Sequence, residues 1–198
     1  MKKFLVLFSI ISVISLGDSK AQKTTFMAEE QNAISLNSIN PTAFVWASHY
    51  YKNSNWGTFA FALVAPAWGE LLVGPNYTFV LDSASILEVG AGIGMEIDPL
   101  PVRGMAYLFY QYDPNKAWRG RVQSLLDAEY GSTGYWYLGY VTYNPTQHFG
   151  FGAHAQFGTV AGLRLQTTPI PQFLAYGVGG WNIEGGQPGF LVGLRGYF

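Results

Sequence analysis

Residues 86–96 alternate without a break: Leu87, Val89, Ala91, Ile93 and Met95 fall on one side, Glu88, Gly90, Gly92, Gly94 and Glu96 on the other. Successive side chains of a strand point to opposite faces, so this spacing predicts an extended segment with one dry face and one wet face. Residues 118–130 repeat the arrangement, with Trp118, Gly120, Val122, Leu126, Ala128 and Tyr130 set against Arg119, Arg121, Gln123, Asp127 and Glu129. In residues 148–157, Phe149, Phe151, Ala153, Ala155 and Phe157 interleave with His148, Gly150, Gly152, His154 and Gln156. No stripe of helical period persists beyond a turn or two after Pro41, so the fold class expected is all-β.

A two-faced strand suits a soluble sandwich as well as a barrel, and composition bears on the choice. Hydrophobic residues make up 49% of the chain and charged ones only 12%, an unusual balance for a water-soluble globule. Part of the apolar content is N-terminal. Lys2 and Lys3 precede the run Phe4 to Leu16, and Ser19-Lys20-Ala21 offers small residues at the cleavage positions. Residues 1–21 therefore read as a signal peptide and 22–198 as one exported domain, with 22–32 a polar periplasmic lead-in. The apolar run is too short for a transmembrane helix, which needs ~20 residues, and nothing after residue 22 comes closer. There is no Cys, which excludes a lipoprotein anchor, disulfides and thiolate metal sites. Without residues 1–21 the chain keeps eight basic and eleven acidic residues, a balance that argues against nucleic acid as a partner.

The last segment, Gly189 to Phe198, places Phe190, Val192, Leu194 and Phe198 on one face and ends on an aromatic. In this ending and in its signal peptide the sequence resembles bacterial outer-membrane β-barrel proteins, whose last strand typically ends in Phe with apolar residues at alternate positions before it. Gly196 stands where that class often has Tyr, and Tyr197 is one position off. The resemblance implies a closed antiparallel up-and-down transmembrane barrel in the outer membrane, with membrane lipids around it. Tyr112 and Trp118, Tyr130 and Tyr135, Tyr143, and Trp181 lie beside turns, as interfacial girdles require. A secreted sandwich is the alternative.

Turn chemistry falls at Asn53–Asn55, Pro66–Gly69, Asp82–Ala84, Asp98–Pro101, Asp113–Lys116, Gly131–Gly134, Asn144–Thr146, Gly158-Thr159, Thr168–Pro171 and Asn182–Pro188. These breaks delimit eleven strands after Pro41. Single-chain bacterial barrels have an even number, so a weak segment at Ala33–Ile39 is taken as the twelfth, with ten strands the alternative. Counting back from Phe198 puts the Thr168, Asn144, Asp113, Asp82 and Asn53 turns on the periplasmic side. Asn182–Pro188, the longest break, falls on the opposite side. Gly74-Pro75 reads as a bulge or a loop end, because Pro cannot donate to a ladder.

In hydrocarbon each bare peptide group costs several kcal/mol, so a β-protein spans only as a closed ring. Charges must then point inward, where water or a counter-ion can meet them. The lumen-lining residues expected are Glu88, Glu96, Arg103, Arg119, Arg121, Asp127, Glu129, His154, Arg164 and Arg195, with Arg paired to Glu88, Glu96, Asp127 and Glu129 in a nearly charge-balanced interior. Inward Gly90, Gly92, Gly94, Gly150 and Gly152 are expected to leave space, which favours a narrow passive channel for a small solute over a structural barrel plugged by salt bridges. A lipid hydrolase or acyltransferase has less support, since only His49, after Ser48, has a neighbouring hydroxyl in sequence. No catalytic set, cofactor or metal site is expected: Gly90 to Gly94 lacks the G-x-G-x-x-G spacing, and His148 and His154 stand ~20 Å apart along a strand. Residues 42–52 and 135–144, apolar or aromatic on both faces, are candidates for contact with a partner subunit.

Overall fold

A computed structural model describes residues 21–35, 38–66, 68–97, 101–114 and 120–198. The described residues form twelve strands: β1 (Ala21–Ile34), β2 (Ile39–Tyr51), β3 (Trp56–Val64), β4 (Gly69–Val80), β5 (Ser85–Glu96), β6 (Val102–Tyr112), β7 (Val122–Gly131), β8 (Gly134–Tyr143), β9 (Phe149–Gln156), β10 (Ala161–Ile170), β11 (Phe173–Asn182) and β12 (Gln187–Tyr197). Each pairs antiparallel with the next, and β1 pairs with β12 to close the ring. The seam runs from Met27↔Tyr197 to Ile34↔Phe190. Below it the amides of Phe26 and Phe198 each donate to the other's carbonyl, at 2.9 and 2.8 Å, so the terminal aromatic sits against the start of β1.

The ring sorts its faces as hydrocarbon demands. On β5, Ala91, Ile93 and Met95 are exposed on the outer wall while Glu88 and Glu96 are buried inside. On β12, Phe190, Val192 and Leu194 face out while Leu191 and Arg195 face in. The start of β1, the C-terminus and the β2–β3, β4–β5, β6–β7, β8–β9 and β10–β11 connections share one end, here the terminus end.

The first strand differs from the sequence expectation. Residues 22–32 are not a lead-in: they lie within β1, paired with β2 from Lys23↔Tyr50 to Ile34↔Ile39. The expected strand Ala33–Ile39 does not exist as one element: Ala33 and Ile34 end β1, Ile39 begins β2, and between them Ser35 N–H donates to Ser38 O at 3.0 Å. The reason is visible on the outer face of β1, where Thr24, Glu30 and Asn32 interrupt Phe26, Ala28 and Ile34. The strand has no dry face to advertise, and main-chain pairing on both edges holds it instead. The β11–β12 connection contracts to residues 183–186, since Trp181↔Pro188 and Asn182↔Gln187 pair. Gly74-Pro75 is neither a loop end nor a register-shifting bulge. Pairing of β4 with β5 lapses after Val73↔Ile93 and resumes in register at Asn76↔Gly90.

Candidate functional site

Alternate positions on every strand project into the ring, and the polar ones gather into two clusters. In the first, Arg103 Nε on β6 donates to Glu70 Oε2 on β4 at 2.7 Å and lies 3.2 Å from Glu129 Oε2 on β7. Its Nη1 is 3.5 Å from Glu96 Oε1 on β5 and donates to Gly134 O at 2.9 Å. Thr133 donates to the same Glu96 oxygen at 2.5 Å. One guanidinium, 4.8 Å from the Trp68 ring centre, thus serves three carboxylates.

The second cluster lies across the ring. Arg195 on β12 donates to Glu29 on β1, which also accepts from Tyr176 on β11 and from Gln31 Nε2 at 2.6 Å. Arg195 Nη1 reaches the Tyr140 hydroxyl at 3.1 Å. Arg164 on β10 stacks 3.7 Å from the Tyr176 ring centre and 4.7 Å from that of Tyr140, and donates to Gln166 Oε1 at 3.1 Å and His154 Nδ1 at 3.3 Å. Aromatic faces take the place of a carboxylate here, which a weakly hydrated, planar cation tolerates.

Between the clusters the interior is aromatic. Phe44 on β2 and Trp136 on β8 stand six places apart around the ring in either direction, yet their ring centres are 6.2 Å apart. Trp46, stacked at 5.2 Å on Phe59 and edge-on at 4.7 Å to Tyr107, extends the same mass. On the terminus side of this contact is a cavity of about 550 Å³. It runs from the mouth at Thr24, Gln172 and Phe198 inward to Phe44 and Leu138, past Glu88, Asp127 and Arg195. Glu88 accepts from three hydroxyls, Tyr107 at 2.7 Å, Tyr50 at 2.8 Å and Thr78 at 3.1 Å.

Of the residues predicted to line the lumen, Glu88, Glu96, Arg103, Asp127, Glu129, His154, Arg164 and Arg195 are buried within the ring. Arg119 lies outside the described residues. Arg121 is not in the lumen: it precedes β7, is exposed, and its Nη2 donates to the outward Tyr143 hydroxyl at 3.1 Å. Its main chain still pairs, N–H to Tyr112 O at 2.6 Å and O from Asn144 N–H at 2.8 Å, but at this end of the strand its side chain turns to Tyr143.

Arg103 meets Glu96 and Glu129 as expected, whereas Glu88 is held by hydroxyls, and Glu70 and Glu29 are unexpected partners of Arg103 and Arg195. Buried acidic groups also outnumber buried basic ones among the described residues. The buried side chains described include six carboxylates (Glu29, Glu70, Glu88, Glu96, Asp127, Glu129) and three guanidiniums (Arg103, Arg164, Arg195). Glu29 was hidden from sequence reasoning by the polar look of β1, and Glu70 by its place beside a turn; the alternation of Met27, Glu29 and Gln31 was the available signal.

The inward glycines do not leave space. A Cβ on Gly90 would meet the Tyr107 ring at 2.2 Å and one on Gly92 the Phe59 ring at 2.8 Å. At Gly94 and Gly152 it would strike the backbone oxygens of Leu71 and Val141, both at 1.8 Å, and at Gly150 the Asn144 side chain at 2.0 Å. These glycines admit neighbouring rings and a close-running strand. Among the described residues no group of three or more His, Cys, Asp or Glu could hold a metal ion.

Neither a protein-family model nor a curated protein matches the chain. Solved structures do. The KdgM porin in complex with disordered oligogalacturonate superposes with a TM-score of 0.58 at 14% identity, over 87% of this chain and 99% of that one. The NanC porin gives 0.51 at 14% identity, over 86% and 98%. The fold is that of bacterial outer-membrane porins. At such identity the likeness fixes the architecture and leaves the interior to be read from this chain's own residues.

Proposed function

We propose that the mature chain, freed of residues 1–21, is an outer-membrane barrel that passes a small solute by a narrow route inside the ring. The observation that carries this reading is the 550 Å³ cavity, which reaches from the terminus-end mouth to the middle of the ring and is walled by charged, amide and aromatic groups. A barrel whose only task is structural gains nothing from such a space, because each void forfeits packing contacts. The Phe44–Trp136 contact is then the narrowest point, and Asp127, Glu88 and Arg195 are the charges a solute meets before it. Lipid surrounds the outer wall.

The oligogalacturonate of the KdgM complex is a polyanion. Among the described residues, buried acidic side chains outnumber guanidiniums six to three, which favours no such solute here. The second reading, a closed structural barrel, is favoured by the same cross-lumen contact and by the buried Arg103 cluster. Conductance of the purified protein in planar bilayers separates them. Discrete steps that grow when Trp136 is replaced by Ala support the channel, and silence from both proteins overturns it. No bond-making chemistry is proposed.

A further inference from the structure

We infer that the terminus-end cavity is a binding site for a small organic cation, an ammonium group carried on an apolar body. The inference rests on the channel reading for its meaning as a solute site, and on three features of the cavity for its chemistry.

The first is an unmet carboxylate. Asp127 lines the cavity and is only 4% exposed, and its Oδ1 has no hydrogen-bond partner among the described residues. An ionised oxygen without a donor is costly to bury, and either a proton or a cation placed beside it removes the cost. The other two cavity carboxylates are already satisfied: Glu29 by Arg195, Tyr176 and Gln31, Glu88 by three hydroxyls. Asp127 alone is left asking for a positive guest.

The second is the field. Beyond Asp127 stands the first cluster, where Glu70, Glu96 and Glu129 outnumber Arg103. Arg195, the one cation lining the cavity among the described residues, is engaged with Glu29 and Tyr140, so no free positive group opposes a cationic guest there.

The third is the wall. Trp46, Tyr50 and Tyr107, with Phe44 and Phe61, line the space with aromatic and apolar surface. Aromatic faces next to a carboxylate suit an ammonium better than a hydrated metal ion, which would have to shed water for no ring of ligands.

The test is isothermal titration of the refolded barrel in detergent with three probes of one shape: phenethylammonium, 2-phenylethanol and phenylacetate. The expected result is saturable binding of the ammonium, about tenfold or more tighter than the alcohol, with no binding of the carboxylate. Asp127→Asn should lose about that tenfold for the ammonium and leave the alcohol unchanged. Equal affinity for ammonium and alcohol, or preference for phenylacetate, overturns the proposal on the unmodified protein, whatever the variant does. Because binding in detergent needs no conduction, a barrel silent in bilayers that still prefers the ammonium sinks the channel and spares the site.

Discussion

Phe44 and Trp136 touch across the full width of the ring, with 6.2 Å between ring centres on strands β2 and β8. Such a contact cannot arise from neighbouring strands and marks a level where side chains meet across the interior. Trp136→Ala should enlarge single-channel steps and, by removing a buried indole, lower stability in lipid vesicles by about 3 kcal/mol. Urea unfolding followed by tryptophan fluorescence measures the second effect. An unchanged step size with lowered stability would make the contact structural only.

Arg103 holds Glu70, Glu96 and Glu129 within 3.5 Å. Removing one partner of a buried ion cluster leaves uncompensated charge, so Arg103→Met should destabilise by about 3–5 kcal/mol. Combining it with Glu70→Gln and Glu129→Gln should recover much of that loss. Unfolding midpoints of the single and triple variants decide the matter.

Gly94 and Gly104 form a matched pair. A methyl at Gly94 would overlap the Leu71 carbonyl at 1.8 Å, whereas at Gly104 the nearest atom is 3.8 Å away. Gly94→Ala should therefore reduce the heat-modifiable, folded band on detergent gels sharply. Gly104→Ala should fold as the parent does.

Glu30 faces outward on β1, four residues from Phe26 at the terminus end and four from Ile34 at the other, with Asn32 Nδ2 3.5 Å from its carboxylate. A carboxylate on the lipid face is unfavourable at mid-wall, though less so than Arg or Lys. Glu30→Leu should raise stability in vesicles by about 1 kcal/mol. A fall instead would mean that this carboxylate has a partner in the membrane.

Asp82, in the exposed turn after β4, accepts from Ala84 N–H at 2.7 Å and from the Ser85 hydroxyl at 3.1 Å. The Ala84 amide, with the Ser85 hydroxyl, holds its carboxyl below the ordinary 3.8. A depressed folded value means that the turn's contribution is complete above the unfolded value and is lost as pH falls through the folded one. The Ala84 amide resonance should titrate with a midpoint below 3.8, and Asp82→Asn should abolish the step.

Alternation and the aromatic C-terminus decided the class of fold, because period two and a lipid-facing wall are local properties of each strand. The residues of β5, β9 and β12 carry that pattern plainly. β1 did not, since Glu30 and Asn32 deny it an apolar face, and its place was assigned only by pairing with β2 and β12 on either side. The inward direction of Glu96, Arg103 and Glu129 was likewise readable from parity alone.

Which groups meet inside was not readable. Partners such as Glu29 and Arg195, or Phe44 and Trp136, are set by ring closure and strand stagger, which act over the whole chain. Parity says that a side chain points in; only the closed ring says what stands opposite. For that reason the sequence by itself determined a barrel and its wet and dry faces, while the tertiary structure alone decided the acidic excess, the aromatic bar and the cavity beneath it.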